Sequence, residues 1–291
     1  MQLLNLLKKY IVNSQIFVAF CGTSLAVFFM LEQNLVRFPT IFLIFITYWS
    51  GYLYTKYQYS RNFKKILLFN IFCGIISALL IFLNHNEIRL LKWLTIVILG
   101  LLYNSAFLEK FIRKIPLLKV FYVGFTWALI NSWLILPEFN FVIFFISWLF
   151  VTALILPFDI RDMHDDKIIT FPKIIGIQNT KYLAYFLIFA AATTAIFYLK
   201  TSFAVAFFLT QLISFPLIYF SKNTNDDLYF SFWVELCSAL PLFFFHHSLA
   251  YKLIIKSAKQ YIENYNLFYR YPVIQQQFTS PGAGEKGFFV L

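Results

Sequence analysis

Charge is what this sequence has least of. Of its 291 residues, only 13% are Asp, Glu, Lys or Arg, about half the ~25% typical of a soluble domain. That excludes an ordinary water-soluble enzyme. A disordered chain is excluded as well, because such chains are highly charged and poor in aromatics. Cysteine is scarce: Cys21, Cys73 and Cys237 stand far apart in apolar stretches. Neither a disulfide framework nor a zinc pattern follows from them, and each reads as a small buried residue. Glycine and proline number 9 each, which excludes collagen-like and low-complexity classes. Apolar residues fill the remainder, at 60% of the chain, with 39 Phe and 18 Tyr. The apolar runs are long and continuous where a β-barrel would show short alternating segments. The fold class expected is therefore all-α, a polytopic membrane protein.

A membrane helix needs ~20 mostly apolar residues. Nine stretches approach that length: Ile11 to Leu31, Phe38 to Tyr54, Ile66 to Leu83, Trp93 to Phe107, Val120 to Leu136, Phe141 to Phe158, Tyr182 to Leu199, Phe203 to Phe220 and Leu228 to Phe245. Nine spans would occupy residues 1–250, leaving 251–291 as an amphipathic segment and a flexible tail. The first stretch is followed by others like it and reads as a true span, not a cleaved signal.

The net charge of +11 is read first as topology, not as nucleic-acid binding. With the N-terminus in the cytoplasm, fifteen of the 24 Lys and Arg fall in inside segments, and four fall in outside loops. The positive-inside rule thus favours a cytoplasmic N-terminus. The other five lie in the tail, which nine spans would place outside, where cations fit poorly.

The 13 acids are unevenly spread: none falls between Gln33 and Asn86, and four crowd into FDIRDMHDD. Asp159, Asp162 and Asp166 are spaced i, i+3, i+7, which on a helix puts three carboxylates on one face. Like charges so placed repel unless a cation sits among them. A charged cap on a membrane helix is the bland reading. A Mg²⁺ site is the sharper one, since Mg²⁺ binds through one or two carboxylates with phosphates and waters. Glu235, inside the ninth stretch, is a functional candidate because a carboxylate in a span is costly. Packing between helices as a neutral acid is its alternative. Asp226 and Asp227 read as a helix N-cap with favourable dipole charge.

The segment DIRDMHDDKIITFPKIIG, with Asp159-x-x-Asp162-x-x-x-Asp166 followed by Thr170, Pro172 and Gly176, resembles the second aspartate motif of the UbiA-type intramembrane prenyltransferases. The stretch from Leu102 to Ile130 is similar to that family's fourth-to-fifth helix region. The resemblance implies nine membrane helices around a central cavity, with aspartate motifs on cytoplasmic loops after the second and sixth. It implies transfer of a prenyl group from a prenyl diphosphate to a lipophilic acceptor in the membrane lipid. Asp159, Asp162 and Asp166 would hold Mg²⁺ and be catalytic, while Lys56, Tyr103, Lys110, Arg113 and Lys114 would face the diphosphate. The family's first motif is absent: Ser50, Gly51 and Tyr54 stand where Asn, Asp and Asp would be. Beside the enzyme reading therefore stands a non-catalytic relative that binds an isoprenoid lipid or serves as a partner subunit. A small transporter ranks third, because no pair of interrupted helices marks a midplane site.

Overall fold

The computed structural model describes residues 12–103, 118–164 and 169–247. Among the described residues, eight helices of at least twelve residues occur in chain order: α1 (Ile16–Glu32), α2 (Phe38–Tyr57), α3 (Phe63–Leu83), α4 (Glu87–Tyr103), α5 (Leu118–Leu129, continued by a π-helical turn Ile130–Leu134), α6 (Phe141–Arg161), α7 (Phe171–Tyr198) and α8 (Thr201–Tyr219). A ninth segment starts as π-helix at Tyr229–Val234. No strand occurs among the described residues. Four helices, α3, α6, α7 and α8, are long and apolar enough to cross a membrane, and α1 is a shorter apolar helix. The protein is thus an all-α membrane architecture. The segment 251–291 lies outside the described residues.

Local chemistry sets the helix ends. Asn140 caps α6 by accepting from the Ile143 amide at 3.0 Å, the preferred side chain for that position. Pro172 stands in the first turn of α7, where its missing N–H costs nothing. Gly176 has φ 81°, a backbone that other residues rarely adopt. It kinks α7 one turn in, so the helix begins eleven residues ahead of the apolar run expected from Tyr182. The stretch expected from Leu228 to Phe245 is not one uninterrupted helix. Cys237, Ser238 and Ala239 bond back only three residues, and Pro241 has no N–H to continue the ladder.

Six hydroxyls inside these helices are satisfied by their own backbone. Thr23, Thr47, Thr126, Ser132, Thr210 and Ser214 each donate to the carbonyl four residues earlier, at 2.7–3.0 Å. Lipid offers no water for this purpose, so internal satisfaction is obligatory. Lys92, only 5% exposed, donates to the carbonyls of Trp133, Leu136 and Pro137 at 3.0, 2.9 and 2.8 Å. It answers the orphan carbonyls at the end of α5 and its negative dipole end.

Of the four long apolar helices, α6 is the most buried. Of its apolar window 61% is buried, against 17% for α3, which is largely bare on its outer side. It packs on α5 and α7, and small residues permit the closest approach. A Cβ on Gly124 of α5 would fall 2.2 Å from Thr152 Oγ1 and 3.3 Å from Thr152 N of α6. A Cβ on Gly22 of α1 would fall 2.9 Å from the Tyr48 ring of α2. Gly124→Val should overpack the α5–α6 contact and cost about 1–3 kcal/mol, read as a lower melting temperature in detergent. Gly74→Ala should cost nothing, because a Cβ there meets no atom within 4 Å. Equal effects of the two changes would contradict this packing.

Candidate functional site

Between α2, α3, α4 and α5 lies a cavity of about 410 Å³, within the range of small-molecule sites. Its apolar wall includes Leu67, Ile71, Ile96, Val97, Leu101 and Ile130. Aromatic and hydroxylic side chains make up much of the remainder: Thr47, Tyr48, Ser50, Tyr52, Tyr54 and Thr55 come from α2, Trp93 and Tyr103 from α4, and Tyr122, Thr126 and Trp127 from α5, with the Asn70 amide from α3. No carboxylate lines it among the described residues.

Two indole N–H groups tie the walls together. Trp93 donates to Thr47 Oγ1 at 2.9 Å, joining α4 to α2. Trp127 donates to the Tyr52 hydroxyl at 2.9 Å, joining α5 to α2. The Trp127 and Tyr48 rings meet at 4.8 Å. Tyr122 donates to the Leu99 carbonyl at 2.6 Å and stacks on Tyr103 at 5.7 Å. The two indoles and the Tyr122 hydroxyl thus each have a partner, as burial favours, whereas the buried Tyr48 hydroxyl has none.

At the end of the bundle where α6 terminates, charges gather. Asp159, 2% exposed, pairs with Lys119 of α5 at 3.7 Å. Asp162 follows the last helical residue, and its carboxylate takes Arg161 Nε at 2.6 Å and Nη2 at 3.0 Å. The Arg161 guanidinium also lies over the rings of Phe158 and Phe230, at 5.3 and 5.7 Å. Lys56 reaches Asn13 at 3.5 Å and lies within electrostatic reach of Asp227 and Arg161. His164 meets Asn223 at 3.1 Å. A cluster of three or more acids, His or Cys does not occur among the described residues.

Of the candidates expected from the sequence, Asp159, Asp162 and Lys56 share this charged end, and Tyr103 lines the cavity. Asp166, Lys110, Arg113 and Lys114 lie outside the described residues. Because α6 stops at Arg161, the one-face spacing expected of the aspartates is helical only up to Asp162. Asp226 lies just ahead of the first turn of the ninth segment, its carbonyl accepting from the Tyr229 amide at 2.9 Å. Glu235 follows the π-helical turn and lies within electrostatic reach of Tyr48, Tyr52, Cys21 and Cys237. All three cysteines are buried and free.

The cavity places Ser50, Gly51 and Tyr54 in its own wall. In the sequence these residues stand out only as departures from a motif. Trp93, Trp127, Thr47 and the wall glycines Gly51, Gly74 and Gly100 are not among the residues that sequence reasoning selects. A signal for them exists, since indoles, hydroxyls and glycines recur through the second to fifth apolar stretches, away from the charged motif.

No protein-family model matches the chain, and no curated protein matches it. A solved structure of a UbiA homologue from Archaeoglobus fulgidus, bound to GPP and Mg²⁺, has a similar fold with a TM-score of 0.53. The two are 14% identical over 86% of this chain and 100% of that one. The chain therefore has the UbiA-type intramembrane prenyltransferase fold.

The Trp127–Tyr52 bond should be measurable as a coupling. In a double-mutant cycle with Tyr52→Phe and Trp127→Phe, the interaction energy should be about 0.5–1.5 kcal/mol. Strict additivity would contradict the bond.

Proposed function

We propose that this protein binds a prenyl diphosphate with its isoprenoid chain in the α2–α5 cavity and its diphosphate at the charged end, and transfers the prenyl group to a lipophilic acceptor in the membrane. The observation that carries this reading is an apolar, aromatic-lined chamber walled in part by α2 and α5, the same helices that bring Lys56 and Lys119 to the charged end. The UbiA homologue of the same fold, bound to GPP and Mg²⁺, supports it. The N-terminus and the aspartate loop would face the cytoplasm, where the excess of Lys and Arg belongs.

Whether the donor set suits Mg²⁺ can be judged from its chemistry. Asp162 lies at a helix end beside Arg161, and Asp159 is three residues away but held by Lys119. The opposite wall offers a hydroxyl, a glycine and a phenol at Ser50, Gly51 and Tyr54, with no carboxylate. The set fits one ion held by Asp162, Asp166 and Asp159 with phosphate oxygens and waters, and not a second. When bound, that ion would neutralise charge on the departing diphosphate.

The chain's own residues would do the rest. Lys56, Lys110, Arg113 and Lys114 would bind diphosphate oxygens by charge-assisted hydrogen bonds. Tyr52, Tyr54, Tyr103, Tyr122 and Trp127 would present ring faces to positive charge developing on the allylic carbon, and would exclude water from it. As the allylic C–O bond breaks, its electron pair leaves with the diphosphate. The acceptor nucleophile then forms the new bond to that carbon and loses its proton.

A second reading, isoprenoid-lipid binding without catalysis, is favoured by one particular feature, the carboxylate-free wall at Ser50, Gly51 and Tyr54. Binding of geranyl diphosphate to the purified protein, with and without Mg²⁺, separates the two. The transferase reading expects binding that needs Mg²⁺ and falls at least about tenfold in an Asp162→Asn, Asp166→Asn double variant. Binding indifferent to metal and to both substitutions leaves the lipid-binding reading. No binding at all overturns both.

A further inference from the structure

Glu235 takes no part in binding the diphosphate, yet a carboxyl inside a span is costly to keep. It stands where the ninth segment changes its winding. The π-helical turn Tyr229–Val234 ends against it, and the Ser238 amide bonds back to its carbonyl at 3.0 Å. Irregular turns of this kind gather at functional sites. The bundle encloses Glu235, but its carboxyl oxygens keep accessible surface, so free space lies beside them. Among the described residues the carboxyl takes no hydrogen bond and faces no cation. Within its electrostatic reach are Tyr48 and Tyr52 of α2, Cys21 of α1 and Cys237, all of them uncharged donors.

The depth of this group follows from the charged end. There Lys56 of α2 is within electrostatic reach of Asp227. Tyr48 lies eight residues inward from Lys56, and Glu235 eight residues inward from Asp227. At ~1.5 Å per helical residue each descends ~12 Å, so both arrive at one level, well inside a ~30 Å hydrocarbon core. Helix α1 meets them there. Phe17 stacks on Phe232 at 4.8 Å, and little more than a turn further on Gly22 lies against the Tyr48 ring.

Three hydrogen-bonding groups at this level lack a partner. Glu235 is the first. The Tyr48 hydroxyl, in a residue only 3% exposed, is shut in with none. The Tyr52 hydroxyl accepts from Trp127, and its own proton goes to no described acceptor. Tyr48 and Tyr52 are spaced i, i+4 and share a helix face, and both line the chamber. Each orphan group in lipid costs several kcal/mol. Three of them together mark the place of a polar group that comes from outside the chain.

We propose that Glu235, Tyr48 and Tyr52 form the recognition site for the polar head of the acceptor, and that this head is an uncharged hydroxyl. This rests on the transferase reading above and adds the chemical class of the acceptor. One hydroxyl satisfies all three groups: its proton goes to the Glu235 carboxyl, and its two lone pairs accept from the two tyrosines. A ligand without the hydroxyl leaves all three unmet. A carboxylate ligand brings a second negative charge to a level with no described cation, and is refused.

The test uses three photoreactive probes on the purified protein in detergent: 4-hydroxybenzophenone, benzophenone and benzophenone-4-carboxylate, with peptide mapping of the label. On wild type the hydroxyl probe should label 48–52 of α2 or 229–239 of the ninth segment at least about tenfold more than the other two, since a site built to bond a hydroxyl rejects analogues lacking it. Glu235→Leu, an apolar change that suits a span, should bring the hydroxyl probe down to the level of plain benzophenone. Glu235→Gln keeps a carbonyl acceptor without the charge, and should retain the hydroxyl probe while admitting the carboxylate. Equal labelling of wild type by all three probes, or a Glu235→Leu protein that labels like wild type, would overturn the site. Binding of geranyl diphosphate with Mg²⁺ is measured on the same wild-type sample, and its absence would overturn the transferase reading instead.

Discussion

Inside lipid, a polar group that finds no partner within the bundle finds none at all. The hydrogen bond from the Trp127 indole to the Tyr52 hydroxyl and that from Trp93 to Thr47 follow from this constraint, and the cavity depends on them. Each indole would otherwise be drawn toward the interface, where Trp usually sits. Bonded to α2, the two indoles hold α4 and α5 at a fixed distance from it. The space between is kept open because three glycines occupy positions where larger side chains would enter it. Elsewhere glycine does the opposite: at Gly124 it draws α5 against α6 until Thr152 is in contact.

Electrostatics divide the molecule along the same axis. In the α2–α5 chamber the described lining is aliphatic, aromatic and neutral polar, with no acid. At the end of α6 almost every described charge is met by another: Asp159 by Lys119, Asp162 by Arg161, Lys56 by the field of Asp227. Cations at the charged end suit a phosphate, and the chamber suits the hydrocarbon attached to it. Among the described residues α2 offers no carboxylate that could hold a metal. The wall at Ser50, Gly51 and Tyr54 offers polarity without charge, and under the proposed transferase reading this would limit leaving-group stabilisation.

Much of this is legible in the sequence, for physical reasons. The apolar runs announce the helices because burial of a helix in lipid requires length and hydrophobicity, and both are plain in composition. Asp159 and Asp162 stand out because acids are rare here, and their place at the end of α6 follows from where the sixth run stops. The end of that helix at Arg161 is not legible, so the spacing to Asp166 reads as helical. The break at Ser238 depends on turns that composition hardly signals, although Pro241 hints at it. Trp93, Thr47 and the three glycines are illegible for a different reason. In a span, an indole or a glycine has the same appearance whether it faces lipid, a neighbour or a cavity. Only the register between α2, α3 and α4 distinguishes these, and register is a tertiary property.

The central claim is that a prenyl chain occupies the α2–α5 cavity. The most direct measurement is photolabelling of the membrane-embedded protein with a benzophenone-bearing geranyl diphosphate analogue, followed by peptide mapping. A chain in that cavity should place label within 67–74 of α3 and 93–101 of α4, lost when unlabelled geranyl diphosphate is added in excess. Label spread along lipid-facing residues of α8, or label at α3 and α4 that excess ligand does not displace, would contradict it.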